Sequence, residues 1–396
     1  MSVNIRSLKN VNIARVSTVT FFVQTQLREQ IISLVKAGAE VTVVASEKQL
    51  VPTIPDSHYV SIEIPRKINL IKDMMALFKL WKLFRRSDFK IVHSSTPKAG
   101  LLSAIAAKLA GVPIRLHTFT GQPWVELSGF KHFLSKSSDK LIVLLNTHCY
   151  TDSASQKKFL IQKGVSSDKG LTVLGSGSLA GIDTKRFNPS RFSDVDKVQL
   201  RTELGIRHSG NIILFVGRIS RDKGVFELLE AFSKVAVEHI NTFLIMLGPS
   251  DICDEELQEK LPIKLKEKLI LPGFSNIPER YMAIADFLVL PSYREGFGTV
   301  VIEAAAMGIP TIGTNIYGLS DAIIDGETGV LVPVKDSSQL AIAIKLLLTE
   351  TNYRVKLGDA AASRVKKEFT KERLNKLMTD EYLRFLERLA PNNERI

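Results

Sequence analysis

The feature that most constrains the fold of this chain is an alternation of short apolar runs with amphipathic, helix-like stretches along nearly all of its 396 residues. Residues 40–45, 114–119, 211–216 and 242–247 are four of these runs, and each has the length of a buried strand. Strands that alternate with helices form parallel sheets covered on both faces. The pattern therefore predicts an α/β protein with two doubly wound, Rossmann-like domains that face each other across a cleft.

A polar, proline-containing segment at residues 183–194 interrupts the alternation and is predicted to be a linker. The mass of 44.0 kDa is comfortable for two domains. We predict an N-terminal domain over residues 1–187, a C-terminal domain over 188–370 and a final amphipathic helix within 371–396. Residues 140–145 are predicted to form one strand of the N-terminal domain.

The net charge of +12 and the pI near 9.5 indicate an anionic partner. A diphosphate substrate, an acidic membrane surface and nucleic acid all carry the required charge. The sequence has no zinc-ligand spacing, no RNP-like aromatic signature and no basic helix suited to a groove, so nucleic acid is not predicted as a partner.

The compartment follows from what the sequence lacks. No apolar run reaches the roughly 20 residues of a membrane span, and no signal-peptide pattern opens the chain. The two cysteines imply no disulfide framework. These observations predict a cytoplasmic protein.

Residues 67–86 form a basic, aromatic-containing helical stretch that has two interpretations. In the first, lysines such as Lys72 and Lys79 meet lipid phosphates while Phe78, Trp81 and Phe84 enter the membrane interface. In the second, the apolar face packs on the first sheet and the basic side chains extend to solvent. The sequence favours packing, with membrane contact along one edge.

Two glutamates, Glu295 and Glu303, flank the point where an apolar strand at 286–292 gives way to a small-residue helix starting near residue 299. Glu295 is expected beyond the carboxyl end of the strand, where open α/β sheets bind ligands. The backbone N–H groups between the glutamates open the helix and can bind an anion. An anion cradle beside two carboxylates suits a phosphorylated sugar. Alternatively, the glutamates only cap the helix or favour its dipole.

The strand at 211–216 ends in Gly217 and Arg218, and Lys223 follows in the loop before the next helix. Two cations at the carboxyl end of a strand suit a diphosphate leaving group, whose developing charge they would stabilise. The alternative is a pair of solvated surface charges.

His117 lies in another predicted strand and is followed by a loop that contains Thr120, Gly121, Gln122 and Trp124. Loops that mix hydrogen-bonding and aromatic side chains bind sugars through polar contacts and ring stacking. A lone histidine is more often a structural residue, so both roles stay open for His117.

Two further patterns resemble known motifs but lack the surrounding secondary structure that those motifs require. Gly175 and Gly177 imitate a dinucleotide loop, but no helix follows them. Asp194 and Asp196 imitate a metal-binding Asp-x-Asp, but they lie in linker-like sequence without a preceding buried strand. The seven histidines are scattered without metal-ligand spacing, so neither a metal nor a cofactor is predicted.

Together these residues resemble the retaining glycosyltransferases of family 4, which have the GT-B fold. The resemblance covers nearly the whole chain and implies that the final helix crosses back onto the N-terminal domain. The N-terminal domain would then serve the acceptor side, and the C-terminal domain would bind a nucleotide sugar. The resemblance is carried by Gly217-Arg218 with Lys223, Glu295 with Glu303, residues 326–333, residues 91–100 and the His117 loop.

The resemblance also implies roles for single residues. Glu295 would contact hydroxyls of the donor sugar, Glu303 would contact the ribose, and His117 would contact the sugar near the reacting carbon, which makes Glu295 and His117 the candidate catalytic residues. The phosphates of the donor would be held by Gly217, Arg218, Lys223 and the amides of Phe297, Gly298 and Thr299.

The loop after the first strand departs from the family pattern. Many members have a glycine pair there that contacts phosphate or acceptor, whereas this chain has Ser17 and Thr18. We predict that both lie on the acceptor side together with Thr120, Gly121 and Gln122. This version of the family pattern resembles the branch of the family that builds bacterial surface polysaccharides such as O-antigen and capsule.

Enzymes of that branch commonly extend a polyprenyl-diphosphate-linked sugar at the inner face of the cytoplasmic membrane. Their donors are usually UDP-activated hexoses or N-acetylhexosamines. The resemblance thus implies a UDP-sugar donor, a lipid-linked glycan acceptor and a peripheral location on an anionic membrane surface. A sugar-nucleotide epimerase, a phosphorylase and a non-catalytic module that binds a nucleotide sugar or an anionic membrane stay open as alternatives.

Overall fold

The computed structural model describes residues 7–206 and 209–389, and these residues divide into two compact units. Unit 1 contains the described residues up to Gly181 and from Lys371 onward, and unit 2 is Ile182–Thr370. The boundary between Gly181 and Ile182 precedes the predicted domain boundary at 187/188. Ile182 forms a β-bridge with Thr370, and Phe187 is buried in the core of unit 2.

Among the described residues, unit 1 contains a seven-stranded sheet with the order β3-β2-β1-β4-β5-β6-β7, in which every neighbouring pair is parallel. Strands β1 and β4 are almost wholly buried because helices cover the sheet. The strands are β1 Asn12–Val16, β2 Glu40–Ala45, β3 His58–Ser61, β4 Ile91–Ser95, β5 Ile114–Phe119, β6 His148–Thr151 and β7 Leu171–Val173.

Unit 2 contains, within its described residues, a second parallel sheet of six strands with the order β10-β9-β8-β11-β12-β13. Its core is one apolar cluster that includes the whole of β11. The two sheets confirm the predicted α/β class. The strands are β8 Asn211–Val216, β9 Thr242–Leu247, β10 Leu269–Gly273, β11 Phe287–Leu290, β12 Thr311–Thr314 and β13 Gly329–Val332.

The helices are numbered along the chain. They are α1 Thr20–Phe22, α2 Arg28–Lys36, α3 Leu70–Arg86, α4 Pro97–Ala110, α5 Gly129–Leu145, α6 Ala154–Gln162, α7 Asp194–Glu203, α8 Val225–Ala236, α9 Asp254–Glu259, α10 Ile263–Lys266, α11 Pro278–Met282, α12 Thr299–Ala306, α13 Leu319–Ala322, α14 Ser337–Thr349, α15 Thr351–Glu368 and α16 Lys371–Leu389. A π-helical turn, Val23–Leu27, connects α1 to α2. The described residues also form 3-10 turns at Pro123–Glu126, Asp168–Gly170, Pro189–Arg191 and Arg221–Lys223.

The last described helix, α16, belongs to unit 1 and packs on α2. Met378 and Tyr382 of α16 share an apolar cluster with Ile31 and Leu34 of α2. The Tyr382 hydroxyl also accepts a 2.6 Å hydrogen bond from the guanidinium of Arg15, which is fully buried in β1. Helix α16 therefore completes the core of a unit whose other elements come from the first half of the chain.

The prediction of a strand at 140–145 is wrong, because these residues form the last turns of α5. Asp139 and Ile142 are the buried residues of α5, with the three-residue spacing of a helix face. The strand beside β5 is β6, which begins at His148. A short apolar run fits either element, and the helix starts far enough upstream to include it.

The prediction of a linker at 183–194 is also wrong. Arg186 forms a bidentate ion pair with the buried Glu279, with both N···O distances 2.9 Å. Asp194 begins α7, and the Ser193 hydroxyl accepts from the N–H of Asp196 while Asp196 accepts from the N–H of Ser193. The Asp-x-Asp pattern is therefore the first turn of a capped helix.

Candidate active site

Two loops of unit 2 follow neighbouring strands at the point where the strand order reverses. Strand β8 lies beside β11, while β9 and β10 extend the sheet on one side and β12 and β13 on the other. The loop after β8 carries Gly217, Arg218 and Lys223, and the loop after β11 carries Glu295. Ligands of open α/β sheets bind at such a reversal, beyond the carboxyl ends of the strands.

The two loops are joined by an ion pair between Lys223 and Glu295. The Nζ atom of Lys223 lies 2.5 Å from Oε1 of Glu295, and both side chains are largely buried. The hydroxyl of Ser292 donates a second hydrogen bond to the same oxygen at 2.8 Å. Two donors on Oε1 fix the orientation of the carboxylate, so Glu295 can present its other oxygen to a ligand hydroxyl.

Asp222 organises the cations of this site, and the sequence analysis missed it. Its carboxylate accepts from the Ser220 hydroxyl at 2.5 Å, from Arg218 at 3.4 Å and from Arg294 at 3.3 Å. Burial pushes the pKa of Asp222 upward, but the Ser220 hydrogen bond and the charges of Arg218, Arg294 and Lys223 outweigh it, and the pKa is lowered. Asp222 lies inside the Gly217–Lys223 loop, so proximity in sequence could have revealed it.

The loop before α12 is shaped by close backbone packing. Gly298 has a φ of +81°, and a Cβ atom there would lie 2.5 Å from Cδ2 of Leu319. The side chain of Phe297 is buried against Phe369, with ring centroids 5.2 Å apart. Only the backbone of Phe297 is therefore available to a ligand. Thr299 begins α12, and the N–H of Val301 in its first turn donates to the carbonyl of Gly298.

Glu303 lies in α12 near the Arg186–Glu279 pair. The pKa of Glu303 is raised to about 7. Burial is the largest cause, the positive charge of Arg186 opposes it, and the negative charge of Glu279 adds to it. The sequence analysis missed both neighbours. No local spacing indicates them, because Arg186 and Glu279 are brought together only by the fold.

His117 is enclosed in unit 1. It is 1% exposed, its Nδ1 lies 3.0 Å from the Ser94 hydroxyl, and its ring meets that of Phe119 edge-on at 4.7 Å. A Cβ atom on Gly100 of α4 would lie 2.4 Å from the His117 ring. Burial lowers the pKa of His117 to about 3, so the imidazole is neutral. These contacts match the structural alternative, and a sugar contact by His117 stays a prediction.

Ser17 and Thr18 follow β1, and Thr96 follows the neighbouring strand β4. The hydroxyl oxygens of Thr18 and Thr96 lie 2.8 Å apart, and Thr96 also accepts from the N–H of Thr18. Ser17 is buried, and its hydroxyl has no hydrogen-bond partner among the described residues. Strand order also reverses between β1 and β4, and these residues lie at that reversal, which is where open α/β sheets generally bind ligands.

The His117 loop ends in a second polar cluster of unit 1. Gln122 is buried and accepts a 3.3 Å hydrogen bond from Gln156, which in turn accepts from the N–H of Asp152 at 2.8 Å. Burial raises the pKa of Asp152 to about 8. Thr120 and Gly121 precede this cluster and are less buried than Gln122. The sequence analysis did not single out Asp152 or Gln156, which carry no recognisable motif.

Across the described residues, no three or more histidine, cysteine, aspartate or glutamate side chains are grouped so that they could hold a metal ion. In the same part of the chain, no helix combines the length and apolar character needed to cross a membrane.

The chain matches two families of known proteins, one in each unit. Residues 23–174 match the family described as Glycosyl transferase 4-like domain, and residues 196–364 match Glycosyl transferases group 1. A capsular polysaccharide biosynthesis glycosyltransferase of Staphylococcus aureus, CapM, is 30% identical over 382 residues, which are 96% of this chain and 98% of that protein. The chain belongs to the GT-B glycosyltransferases.

A second relative and a solved structure extend the likeness of this glycosyltransferase. An Escherichia coli UDP-Gal:alpha-D-GlcNAc-diphosphoundecaprenol alpha-1,3-galactosyltransferase is 27% identical over 289 residues, 68% of this chain and 69% of that protein. The crystal structure of Anabaena Alr3699/HepE with UDP and glucose superposes with a TM-score of 0.77 at 17% identity, covering 94% of this chain and 99% of that one. That likeness supports the GT-B fold.

Proposed function

We propose that this glycosyltransferase moves a hexose or an N-acetylhexosamine from a UDP-sugar to a polyprenyl-diphosphate-linked glycan, with retention, in the synthesis of a surface polysaccharide. The observation that carries the proposal is the Lys223–Glu295 ion pair at the strand reversal of unit 2. It sets a cation for phosphate beside a carboxylate for sugar hydroxyls, which are the two groups that a nucleotide sugar presents.

The donor side is argued from unit 2. Arg218 and Lys223 supply the positive charge for a diphosphate, and the start of α12 at Thr299 supplies backbone N–H groups. Glu303 lies in the same helix and would accept from a ribose hydroxyl. HepE, which shares the fold, has been crystallised with UDP and glucose, and this supports a UDP-sugar as the donor.

The acceptor side is argued from the relatives. The name of the Escherichia coli relative specifies a diphosphoundecaprenol-linked N-acetylglucosamine as its acceptor, and CapM is named for capsular polysaccharide biosynthesis. A lipid-linked glycan fits a chain with a net charge of +12, because the acceptor and its membrane both carry phosphate. Ser17, Thr18, Thr120, Gly121 and Gln122 would line the acceptor side, and the enzyme would lie on the inner face of the cytoplasmic membrane.

Retention is proposed to occur by attack on the face that the leaving group occupies. The acceptor hydroxyl forms the new glycosidic bond as the bond between the anomeric carbon and the UDP oxygen breaks, and the hydroxyl proton passes to the departing phosphate. Lys223 and Arg218 then offset the charge that develops on the diphosphate, so no metal ion is required. Glu295 orients the sugar by holding its hydroxyls, and His117 is assigned a sugar contact near the reacting carbon.

The experiment is UDP release from a panel of UDP-sugars, with and without polyprenyl-diphosphate glycans and in the presence of a chelator. We expect release that requires the acceptor, occurs with one sugar and survives chelation. Release without an acceptor would favour an epimerase or a phosphorylase, and UDP binding without release would favour a binding module. Either result would overturn the proposed reaction.

A further inference from the structure

Three buried polar side chains follow neighbouring strands at the carboxyl edge of the unit 1 sheet. Gln122 follows β5, Asp152 follows β6 and Ser178 follows β7. They are 0%, 7% and 4% exposed, and we call them the β5–β7 cluster. Nε2 of Gln122, Oδ1 of Asp152 and the Ser178 hydroxyl have no hydrogen-bond partner among the described residues. Because buried polar groups are almost always hydrogen-bonded, three such atoms at a ligand-binding edge indicate contact with a polar ligand.

A backbone group sets the direction of the hydrogen bonds in the cluster. The N–H of Asp152 can only donate, and it donates to Oε1 of Gln156 at 2.8 Å. Gln156 therefore turns its Nε2 toward Gln122, whose Oε1 accepts at 3.3 Å. Since that oxygen is occupied, Gln122 presents the donor Nε2 to a ligand, while Asp152 presents the acceptor Oδ1.

Ser178 belongs to the glycine-containing segment that imitates a dinucleotide loop in the sequence. Its N–H donates to the carbonyl of Asp152 at 2.7 Å, which holds the segment beside the end of β6. Gly175, Gly177 and Ser178 all have positive φ angles, and that of Ser178 is +68°. Glycine adopts this conformation freely, whereas a residue with a side chain adopts it at a cost. The loop does not need the Ser178 hydroxyl for its shape, so the hydroxyl is available for a ligand.

The chemistry of the cluster selects an uncharged ligand. The donor group of Gln122 disfavours a cation, and the carboxyl of Asp152 disfavours an anion such as phosphate. Burial raises the pKa of Asp152 to about 8, so the carboxyl is largely uncharged at neutral pH. The ligand must therefore donate one hydrogen bond and accept another without carrying charge.

The amide of Gln156 shows the span that such a ligand needs. It connects Asp152 to Gln122, with its oxygen toward Asp152 and its nitrogen toward Gln122. A ligand amide of the opposite sense would direct its N–H to Oδ1 of Asp152 and its carbonyl to Nε2 of Gln122. A single hydroxyl oxygen would have to reach both atoms at once. The acetamido group of a 2-acetamido sugar is an uncharged amide of this kind.

We propose that the β5–β7 cluster is a subsite for the acetamido group of an N-acetylhexosamine in the acceptor glycan. Asp152 accepts from the acetamido N–H, Gln122 donates to the acetamido carbonyl, and Ser178 contacts a neighbouring ring hydroxyl. The inference rests on the proposed function, which supplies the acceptor. It goes beyond that function by naming the substituent that is recognised and by adding Asp152 and Ser178 as specificity-determining residues.

The test compares two water-soluble, short-chain prenyl diphosphates, one carrying N-acetylglucosamine and one carrying glucose. The two sugars differ only at the 2-position. Calorimetry with the full-length protein measures the Kd of each compound. We expect the wild type to bind the acetamido compound about tenfold or more tightly, and Asp152→Ala and Gln122→Ala to bind the two compounds equally. Ser178→Ala should weaken the binding of both by a similar factor, since both carry the ring hydroxyls.

Two variants of unit 1 are controls, and both should keep the preference of the wild type. Asp168→Ala removes an exposed carboxylate, and Ser103→Ala removes a buried hydroxyl in the middle of α4 that also has no partner among the described residues. Urea unfolding shows whether each variant is folded. Asp152→Leu and Gln122→Met, which keep the approximate volume of the side chains, replace an alanine variant that does not fold.

Two results would overturn the subsite. The wild type binds both compounds equally or binds neither, or the folded Asp152 and Gln122 variants keep its preference. The three atoms would then hydrogen-bond to water alone. UDP release with the same compounds tests the proposed function separately. Preferential binding of the acetamido compound without UDP release would support the subsite and contradict the proposed reaction, whereas UDP release without a preference would do the reverse.

Discussion

At the scale of single residues, the site depends on charges held in pairs. Lys223 and Glu295 are both largely buried and lie 2.5 Å apart. Removing one of them leaves the other without its counter-charge in a poorly solvated place. The pair also places the cation beside the position where the diphosphate would develop charge. A change at either residue is therefore expected to affect both the chemistry and the stability.

The first prediction concerns this pair. We expect Lys223→Ala and Glu295→Ala each to lower kcat/KM by about 10²–10³, because each removes one preorganised electrostatic contact to the transition state. The measurement is UDP release with the active donor and acceptor. Lys345→Ala is the control, since Lys345 pairs with Glu238 on the exposed surface of the same unit. Wild-type turnover in either site variant would contradict the assignment.

The second prediction concerns Glu303, whose pKa in the folded protein is about 7. A carboxyl with a raised folded-state pKa stabilises the protein below its unfolded pKa, and this contribution is lost as the pH rises through about 7. Glu303→Gln cannot ionise. Its free energy of unfolding relative to the wild type should therefore increase by about 2–3 kcal/mol between pH 5 and pH 8.

Urea unfolding at several pH values measures this difference. The exposed Glu327 is the matched position, and Glu327→Gln should show a difference that is nearly independent of pH. A Glu303→Gln curve parallel to that of the wild type would show that the carboxyl does not titrate near neutral pH.

At the scale of elements, the start of α12 is set by one glycine. Gly298 and Gly308 flank this helix with φ angles of +81° and +77°, so alanine is strained at both. A Cβ atom at Gly298 would also lie 2.5 Å from Leu319, whereas one at Gly308 meets nothing within 4 Å. The two positions separate the cost of the backbone conformation from the cost of the collision.

The third prediction uses that contrast. We expect Gly308→Ala to lower the free energy of unfolding by about 1 kcal/mol and Gly298→Ala to lower it by about 2–4 kcal/mol, because the latter must also displace Leu319 or the helix start. Chemical denaturation provides both values. A displaced helix start should also weaken UDP binding in Gly298→Ala alone. Equal losses of stability in the two variants would show that Leu319 moves away from the new Cβ atom at little energetic cost.

The same scale shows what the sequence could predict. The apolar runs of β8 and β9 coincide with the structure because a buried parallel strand needs an unbroken apolar run. The prediction of a strand at 140–145 was wrong because the end of a helix that buries Ile142 has the same apolar composition as a short strand. Helix α7 buries little beyond Leu200, so its only sequence signal is the cap formed by Ser193 and Asp196.

The site was predictable to a similar degree. The family resemblance placed Lys223 and Glu295 in one donor site, and the structure brings them together because their loops follow the neighbouring strands β8 and β11. Glu279 and Arg186 could not be found beside Glu303, since they are distant in sequence and neither belongs to a motif. Contacts between residues that are distant in sequence cannot be predicted from local residue spacing.

At the scale of the whole molecule, the two units differ in how the chain builds them. Unit 2 is one continuous segment, Ile182–Thr370, whereas unit 1 needs α16 as well as the first half of the chain. Without α16, the apolar side chains of Ile31 and Leu34 lose the cover of Met378 and Tyr382. The buried Arg15 also loses a hydrogen-bond acceptor.

The fourth prediction follows from this difference. We expect residues 182–370, produced alone, to unfold cooperatively and to bind UDP. We expect residues 1–181 alone to aggregate, and a peptide of residues 371–389 to reduce that aggregation in a concentration-dependent way. Size-exclusion chromatography and urea unfolding measure these outcomes. A stable, monomeric 1–181 fragment would show that α16 is dispensable for the core of unit 1.

The placement of α16 has a consequence for the order in which the protein matures on the ribosome. Domains usually fold in the order of their synthesis. Here unit 1, most of which is translated first, cannot complete its core until the last helix, α16, has been translated. Unit 2 is complete once Thr370 has emerged. A message cut short anywhere upstream of α16 therefore yields a chain without a finished unit 1. The final helix thus restricts a finished unit 1 to chains that have been translated through it.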